Sequence, residues 1–283
     1  MVKLELSSSS DRLSLDGFEA GGLGFQALAG ATGLGLPQLS VQWLEGAGDG
    51  AAYRGRRVLP RDIDIPLDIV GRDREHLSEL VTRLARVLAD ESGLTLTYVD
   101  SKGARWSTPV AWTGGGEMDA GAGARDVQTV ITLRAPSPYF LAESPQTVAI
   151  GGATAGAFLS SMSSMPLASS QAMGSVQLSN EGDVSAFPVW EVTGPGDNFK
   201  AVSPAGKTLH WLGTLTAGQK LIVDMGAGTV KDSTGANRYA SLAAAPQFWS
   251  VLPGVSTATA SLLNTTSASK IVCSWRPRKW VVI

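Results

Sequence analysis

The sequence is poor in the residues that most often carry catalysis, metal binding and covalent cross-links. It has one cysteine, Cys273, and two histidines, His76 and His210. A single cysteine excludes a disulfide within the chain and a zinc site built from several cysteines. Neither histidine has a Ser or Cys nucleophile and an acidic partner at a recognisable spacing, so we expect both to be structural or surface residues. The sequence therefore predicts no enzyme, no cofactor and no metal site.

Net charge and long apolar runs are also lacking. The formal net charge is -2, so no strong overall field would draw the chain to nucleic acid or to anionic lipid. Without a run of about 18 apolar residues, we expect no membrane insertion. The first residues, MVKLELSSSSDRLSLDG, lack the apolar core of a signal peptide, which predicts folding in the cytosol. By contrast, glycine is abundant at 33 residues, which favours a turn-rich, mainly β protein.

The most regular part of the sequence, Tyr53–Leu94, contains two different periodicities. Apolar and polar residues alternate over Asp62–Val70, which predicts a strand with one buried and one solvated face. Over Leu77–Leu88 apolar residues recur every three or four positions, which predicts an amphipathic helix. Asp73 is a suitable N-cap for this helix, and Gly93 lies just past its end.

Shorter segments on both sides of this part also have strand character. Gly17–Pro37 is dense in glycine and alanine, and we predict a loop with little regular structure there. Turn residues at Asp100–Gly103 predict a hairpin between two of the strands. Pro136 and Pro138 end the last strand of the N-terminal half. The predicted strands are Val2–Leu6, Gln38–Leu44, Leu94–Val99, Ala104–Trp112 and Asp126–Ala135.

The composition changes in the second half of the chain. Gly151–Gly174 is rich in Gly, Ala, Ser and Met without a clean period, and we expect a long loop that orders only against a partner. From Ser175 onward short strand candidates recur about every eight to twelve residues between Gly- and Pro-containing turns, which predicts an antiparallel β-sandwich. We therefore predict a mainly β chain with one main α-helix and two domains, residues 1–140 and 141–283.

Two stretches in this order resemble a known family. The first is Tyr53–Leu94, with YRG, then LPRDIDIPLDIVG, then the amphipathic helix. The second is Phe187–Leu252, with a proline-led strand, a Gly-Pro turn, the segment AGQKLIVD and a following LPG. Together they resemble the distal tail protein of siphophages, also described as a siphovirus-type tail component, from about Leu39 to Ile283. The resemblance implies an N-terminal β-barrel-like belt domain with one helix and a C-terminal galectin-like β-sandwich.

The resemblance also implies a function and a set of partners. The chain would be a structural virion protein that forms a homohexameric ring at the end of the tail tube. This ring would join the tube to the hub and the host-adhesion apparatus of the baseplate. Its expected partners are the tail tube protein and the tail hub or tail-associated protein, with the tape measure protein as a further candidate and DNA only as passing cargo. The expected location is the phage tail tip, after assembly in the host cytoplasm.

Charged residues around the central strand are the candidate site residues. Under the resemblance, the arginines would make ion pairs between subunits, and the aspartates would face a neighbour or the lumen of the tube. An acidic lumen would keep passing DNA from binding, while solvated surface charge is the ordinary alternative for each residue. The candidates for the ring interface or lumen are Arg54, Arg57, Arg61, Asp62, Asp64 and Asp68.

The eight tryptophans leave an alternative function open. Most should be core residues of the two domains, and one or two would suit a subunit interface. The alternative is a carbohydrate-binding adhesin module that recognises host cell-wall glycans through the C-terminal sandwich. It would need an exposed tryptophan with polar neighbours on one sheet face, because fold alone does not imply function.

Overall fold

The computed structural model describes residues 3–17, 21–119, 125–151 and 171–282. Over these residues the chain is mainly β with one α-helix, as predicted. Its elements are β1 Lys3–Ser7, β2 Arg12–Ser14, β3 Gly24–Ala27, β4 Leu39–Glu45, β5 Ala51–Val58, β6 Arg61–Val70, α1 Arg74–Leu88, β7 Leu94–Val99, β8 Arg105–Gly115, β9 Asp126–Ala135, β10 Phe140–Ala142, β11 Gln146–Gly151, β12 Gln171–Asn180, β13 Val189–Thr193, β14 Gly196–Val202, β15 Thr208–His210, β16 Thr214–Leu215, β17 Lys220–Asp224, β18 Thr229–Asp232, a 3₁₀ turn Tyr239–Ser241, β19 Gly254–Leu263, β20 Lys270–Trp275 and β21 Arg278–Lys279.

The chain divides into two compact units. The first is Met1–Glu143 together with Lys279–Ile283, and the second is Ser144–Arg278. The last five residues were predicted to belong to the second domain. They group with the first unit because the Val282 amide donates to the Leu34 carbonyl oxygen at 3.0 Å and the Val282 side chain is buried. The functions assigned to the two domains stay predictions.

The first unit is built around one antiparallel sheet that curves into a nearly closed barrel. Its strands lie in the order β2, β1, β7, β8, β9, β6, β3, and β10 adds to β8. The two ends of the sheet meet where the Ala27 amide donates to the Leu15 carbonyl oxygen at 2.7 Å, next to a bridge between Asp16 and Gln26. This closure leaves few unpaired strand edges in the sheet, which limits edge-to-edge association there.

The alternation and the helix predicted for the central stretch are both present. On β6 the residues Ile63, Ile65, Leu67 and Ile69 are fully buried, while the residues between them lie at or near the surface. Asp73 caps α1 by accepting a hydrogen bond from the His76 amide at 2.8 Å. The apolar stripe of α1 packs on the barrel core through Leu77, Leu80, Leu84, Val87 and Leu88.

Three of the predicted loops or connections differ from the structure. Gly17–Pro37 contains the strand β3, which pairs with β6 and places Phe25 in the barrel core. Residues 46–50 form a turn, and Ala51–Val58 after it is the strand β5, which pairs with β4 and was not predicted as a strand. Of the predicted loop at Gly151–Gly174, residues 152–170 lie outside the described residues, and Gln171 to Gly174 belong to β12.

The second unit is a sandwich of two antiparallel sheets, which confirms the predicted architecture. One sheet has the order β11, β20, β13, β17, β18; the other has the order β12, β19, β14, β15, with β16 beside β14. Both sheets contribute to one hydrophobic core, in which the Trp190 ring lies 5.9 Å from Phe199 and 6.0 Å from Trp249. Cys273 is buried in this core, and burial raises the pKa of its thiol.

Candidate functional site

The strands β4 and β5 form a hairpin, which we call the arm (residues 39–58). They pair with each other and, among the described residues, with no other strand. The base of the arm is closed by a hydrogen bond from the Leu59 amide to the Gln38 carbonyl oxygen at 2.9 Å. A two-stranded hairpin without further support is only marginally stable in water. The arm is therefore a projecting element whose stability would increase if another surface covered it.

One face of the arm is apolar and uncovered in the described part of the chain. Leu39, Val41 and Trp43 alternate along β4, and Tyr53 and Val58 lie opposite them on β5. Trp43 is 59% exposed and Tyr53 is 55% exposed. Their rings pack edge to face, with centroids 5.6 Å apart. We call these five residues the apolar face of the arm; an exposed apolar patch of this kind marks an interaction site.

A bulge brings the two aromatic rings of the apolar face together. Gln42 pairs with Gly55, but the next residue, Trp43, pairs with Tyr53, so Arg54 is the extra residue of the bulge. The sequence predicted that Trp43 shares a face with Leu39 and Val41, because apolar and polar residues alternate strictly along β4 up to this position. The position of Tyr53 opposite Trp43 was not predicted, because the bulge interrupts the alternation of β5 and three arginines follow Tyr53 in the sequence. A bulge re-aims side chains in this way at many functional sites.

The predicted arginines fall into two groups. Arg54 and Arg57 lie on the arm and are exposed, as is Arg56 between them. Arg61 is different, because it is 4% exposed and its guanidinium bonds within its own subunit. The interface or lumen role predicted for these arginines stays a prediction; the structure adds that Arg61 is buried whereas Arg54 and Arg57 are exposed.

Arg61 instead fastens the base of the arm to the barrel. Nη1 donates to the carbonyl oxygens of Gly33 and, at 2.6 Å, of Gly35 in the segment that leads into the arm. Nη2 donates to the carbonyl oxygens of Pro138 at 2.9 Å and Trp280 at 2.6 Å. A planar guanidinium presents several fixed donors, so one side chain can hold three separate segments. Arg61 is therefore a positioning residue for the root of the arm.

The predicted aspartates share one face of β6, where Asp62 and Asp64 have polar partners within this chain. Asp62 is exposed and lies 3.5 Å from a guanidinium nitrogen of Arg134. Asp64 accepts hydrogen bonds from the hydroxyls of Thr32 at 3.1 Å and Thr132 at 2.8 Å. Among the described residues no group of three or more His, Cys, Asp or Glu side chains is arranged to hold a metal ion.

Asp68 lies at the other end of the same face and is half-buried. Its pKa is raised, first because burial disfavours the charged carboxylate and second because the carboxylate of Asp126 lies nearby. The outer face of β6 is thus acidic, and its charge is partly unneutralised.

The histidines have structural surroundings. Nδ1 of His76 accepts a hydrogen bond from the Arg72 amide at 3.0 Å in the first turn of α1. His210 lies on β15, where burial and then the charge of Lys200 lower its pKa. Within the described ranges, the one α-helix has 15 residues and is too short and too polar to cross a lipid bilayer.

The second unit has no exposed tryptophan among its described residues. Trp190, Trp211, Trp249 and Trp275 are all buried in its core. A cleft of about 540 Å³ lies beside Trp211. The charged residues at this cleft are neutralised in pairs: Arg238 bonds Asp232 at 2.8 Å, and Lys220 bonds Glu191 at 2.7 Å. The exposed tryptophan that we expected of a carbohydrate-binding module is therefore missing from the described part of this unit.

Comparison with known proteins supports the fold. No protein-family model matches the chain, and no curated protein matches its sequence. The structure is similar to SPP1 Dit (gp 19.1), described as a paradigm of the hub adsorption apparatus in phages that infect Gram-positive bacteria. The TM-score is 0.66 and the identity 13%, over 97% of this chain and 98% of that chain.

A second similar structure comes from the phage P2 baseplate in its activated conformation with Ca. Its TM-score is 0.51 and the identity is 9%, over 100% of both chains. At these low sequence identities the structural similarity supports a shared fold and nothing further. Over nearly its whole length, the chain has the fold of a siphophage distal tail protein.

Proposed function

We propose that this chain is a structural protein of a long-tailed phage, which forms a ring at the distal end of the tail tube and joins the tube to the hub and the host-adhesion apparatus. The observation that carries the proposal is the uncovered apolar face of the arm on a subunit with the distal tail fold. The structural neighbours are phage distal tail and baseplate proteins, which supports a structural role in a tail.

The mechanism of this function is association rather than chemistry. Covering Trp43 and Tyr53 with a neighbouring subunit would remove large aromatic surfaces from water, at about 25 cal/mol per Å² of apolar area. Tryptophan and tyrosine are enriched among the residues that dominate binding energy at interfaces. The same contact would add support to a hairpin that is marginal by itself. We therefore expect the arm to become ordered and protected when the ring forms.

The partners follow from the same role. A ring subunit has two faces that differ, so one side would contact the tail tube protein and the other the tail hub or tail-associated protein. The tape measure protein and passing DNA would meet the inner wall of such a ring. The hexameric symmetry, assembly in the host cytoplasm and the tail-tip location belong to this proposal as well.

The alternative function, a carbohydrate-binding adhesin module, has less support. The tryptophans of the second unit are buried, so within residues 171–278 no exposed tryptophan is available to stack on a sugar ring. Binding of the full chain to host cell-wall glycans on an array, without ring formation, would favour the adhesin instead.

The proposal is tested by the solution mass and shape of the purified full chain. We expect light scattering to give a discrete multiple of the subunit mass of 29.4 kDa. Negative-stain images of the same sample should contain rings with an open centre. In phage particles, an antibody against the chain should label the tail tip. Labelling of the capsid or of the whole tail shaft would contradict the proposal.

A further inference from the structure

The outer face of the barrel carries a depression beside the predicted aspartates. It has a volume of about 430 Å³ and lies between β6, β9 and the residues that follow β3 and β8. Its floor is apolar, formed by Leu28, Pro66 and Val130. Val130 is 46% exposed although it is a large apolar residue in the middle of a sheet. We call this feature the outer depression.

The backbone around the outer depression keeps it open. Gly115 is the last residue of β8 and pairs with Ile131, and the Gly116 amide donates to the Val130 carbonyl oxygen at 2.8 Å. A Cβ atom at Gly115 would lie 2.1 Å from that oxygen, and the residue has φ +75°. Only glycine fits this position without strain. Gly115 and Gly116 add no side chain beside Val130, which stays 46% exposed, so this part of the floor is accessible.

The rim of the outer depression is acidic. Glu117 lines it directly and is exposed. Asp64 and Asp68 flank Pro66 on the same face of β6. An apolar floor with carboxylates around it suits an occupant that combines an aromatic or aliphatic group with a positive charge.

The arm has this combination on the same chain. Its apolar face carries Trp43 and Tyr53, and Arg54 and Arg56 lie on β5 beside them; Arg57, which pairs with Ser40, lies on the other face. Arg56 pairs with Val41, so it belongs to the same face of the hairpin as the aromatic residues. In this structure the two features are not joined, since both Trp43 and Val130 are exposed.

We propose that the outer depression of one copy of this chain receives the arm of a second copy, with the aromatic residues on the apolar floor and the arginines at the acidic rim. This inference rests on the proposed function and specifies the contact that builds the assembly. Two different patches meet in it, so the contact is head to tail. A head-to-tail contact generates a closed ring when its rotation closes, and it does not generate a symmetric dimer.

The test uses two variants that each lose one half of the contact. The arm variant combines Trp43→Ser with Arg56→Glu and keeps an intact outer depression. The depression variant, Val130→Lys, keeps an intact arm. Both changes are at exposed positions, and circular dichroism and thermal melting of each full chain confirm that it folds. The control, Val255→Lys, places the same charge at an exposed apolar residue of the second unit.

We expect each variant alone to be monomeric, with the concentration for half-assembly raised by at least about tenfold. The control should assemble as the wild type does. Mixing the two variants should restore one contact, because the arm of the depression variant fits the depression of the arm variant. The mixture should therefore give heterodimers of about twice 29.4 kDa and no rings.

Other results separate this inference from the proposed function. If the wild type forms rings and Val130→Lys forms them equally well, the outer depression is not the docking site, while the proposed function stands. That outcome would instead leave the acidic face free to line the lumen. Normal assembly of the depression variant together with failure of the arm variant would point to arm-to-arm contact and overturn the inference. A wild type that remains monomeric in concentrated solution would count against both.

Discussion

Replacing Arg61 with methionine tests whether this buried guanidinium holds the base of the arm. Methionine keeps an unbranched, apolar stem of similar reach but has no hydrogen-bond donor. The substitution removes donors to the carbonyl oxygens of Gly33, Gly35, Pro138 and Trp280. It also removes the guanidinium from above the Phe140 ring, where it lies 5.4 Å from the centroid.

The expected magnitude follows from these contacts. A hydrogen bond from a charged donor contributes about 1.5–3 kcal/mol, so the upper bound for the four bonds is about 6–12 kcal/mol. Water that enters the vacated space would rehydrate part of the carbonyl groups. We therefore expect a loss of about 3–5 kcal/mol, the range seen when one partner of a buried charged contact is removed. Arg61→Lys should lose less, because it keeps the charge but not the planar set of donors.

Hydrogen exchange measured by mass spectrometry is the suitable assay, since a chain of two units need not unfold in one step. The Val282 amide, which bonds the Leu34 carbonyl oxygen, reports on the segment that Arg61 holds. A local loss of about 3 kcal/mol corresponds to exchange about a hundredfold faster. Peptides of β17 in the second unit provide an internal reference.

The matched control is Arg134→Met, because Arg134 is exposed and its guanidinium lies 3.5 Å from the exposed carboxylate of Asp62. A surface ion pair of this kind contributes at most about 1 kcal/mol, so its exchange pattern should be close to that of the wild type. Should peptides at residues 33–35 and 280–282 exchange at the wild-type rate in Arg61→Met, the assignment of Arg61 as a positioning residue would be refuted.

Three further predictions concern stability and reactivity. Gly33→Ala should lower the free energy of unfolding of the first unit by about 2 kcal/mol or more, measured by denaturant titration. Gly33 has φ +78°, and a Cβ atom there would lie 2.2 Å from the Asp62 carbonyl oxygen. In the control Gly46→Ala the added Cβ meets no atom within 4 Å, so the free energy of unfolding should change by less than about 0.5 kcal/mol. Arg83 holds the pKa of Asp11 at about 2, so the stability from this pair is present above the unfolded pKa near 4 and is lost as the pH falls through about 2. At pH 7, Asp11→Asn should therefore lower the free energy of unfolding by less than about 1 kcal/mol, because the pair is partly exposed, and the melting temperature should fall slightly. A difference in melting temperature between variant and wild type that persists below about pH 2 would contradict this. Burial raises the pKa of the Cys273 thiol, so Ellman's reagent should label it only after unfolding in guanidinium chloride, and rapid labelling of the folded chain would show that the core of the second unit opens.

The sequence predicted most reliably the elements whose residues face one core. Ile63 to Ile69 alternate because successive side chains of a strand point to opposite faces, and all four isoleucine and leucine positions on the inner side are buried. The helix that follows was predicted with its cap, because its periodicity and Asp73 act locally. The two-sheet sandwich was predicted from the spacing of short strands and turns.

The strands β3 and β5 were missed for different reasons. β3 is only four residues long and has one large apolar residue, Phe25, so it shows no periodicity; β6 and Leu15 supply its backbone partners from elsewhere in the chain. The bulge at Arg54 hides the alternation of β5. In both cases the decisive hydrogen bonds join distant segments, which no local pattern reports.

For the candidate site, too, local sequence predicted one part and only the tertiary structure showed the other. Local sequence determined that Leu39, Val41 and Trp43 share one face and that the aspartates of β6 share another. Only the tertiary structure decided that the first face is uncovered, that Arg61 is buried while Arg54 and Arg57 are exposed, and that an open depression lies beside Pro66. The physical reason is that periodicity fixes the side of an element on which a residue lies, whereas burial depends on which distant segments pack against that side.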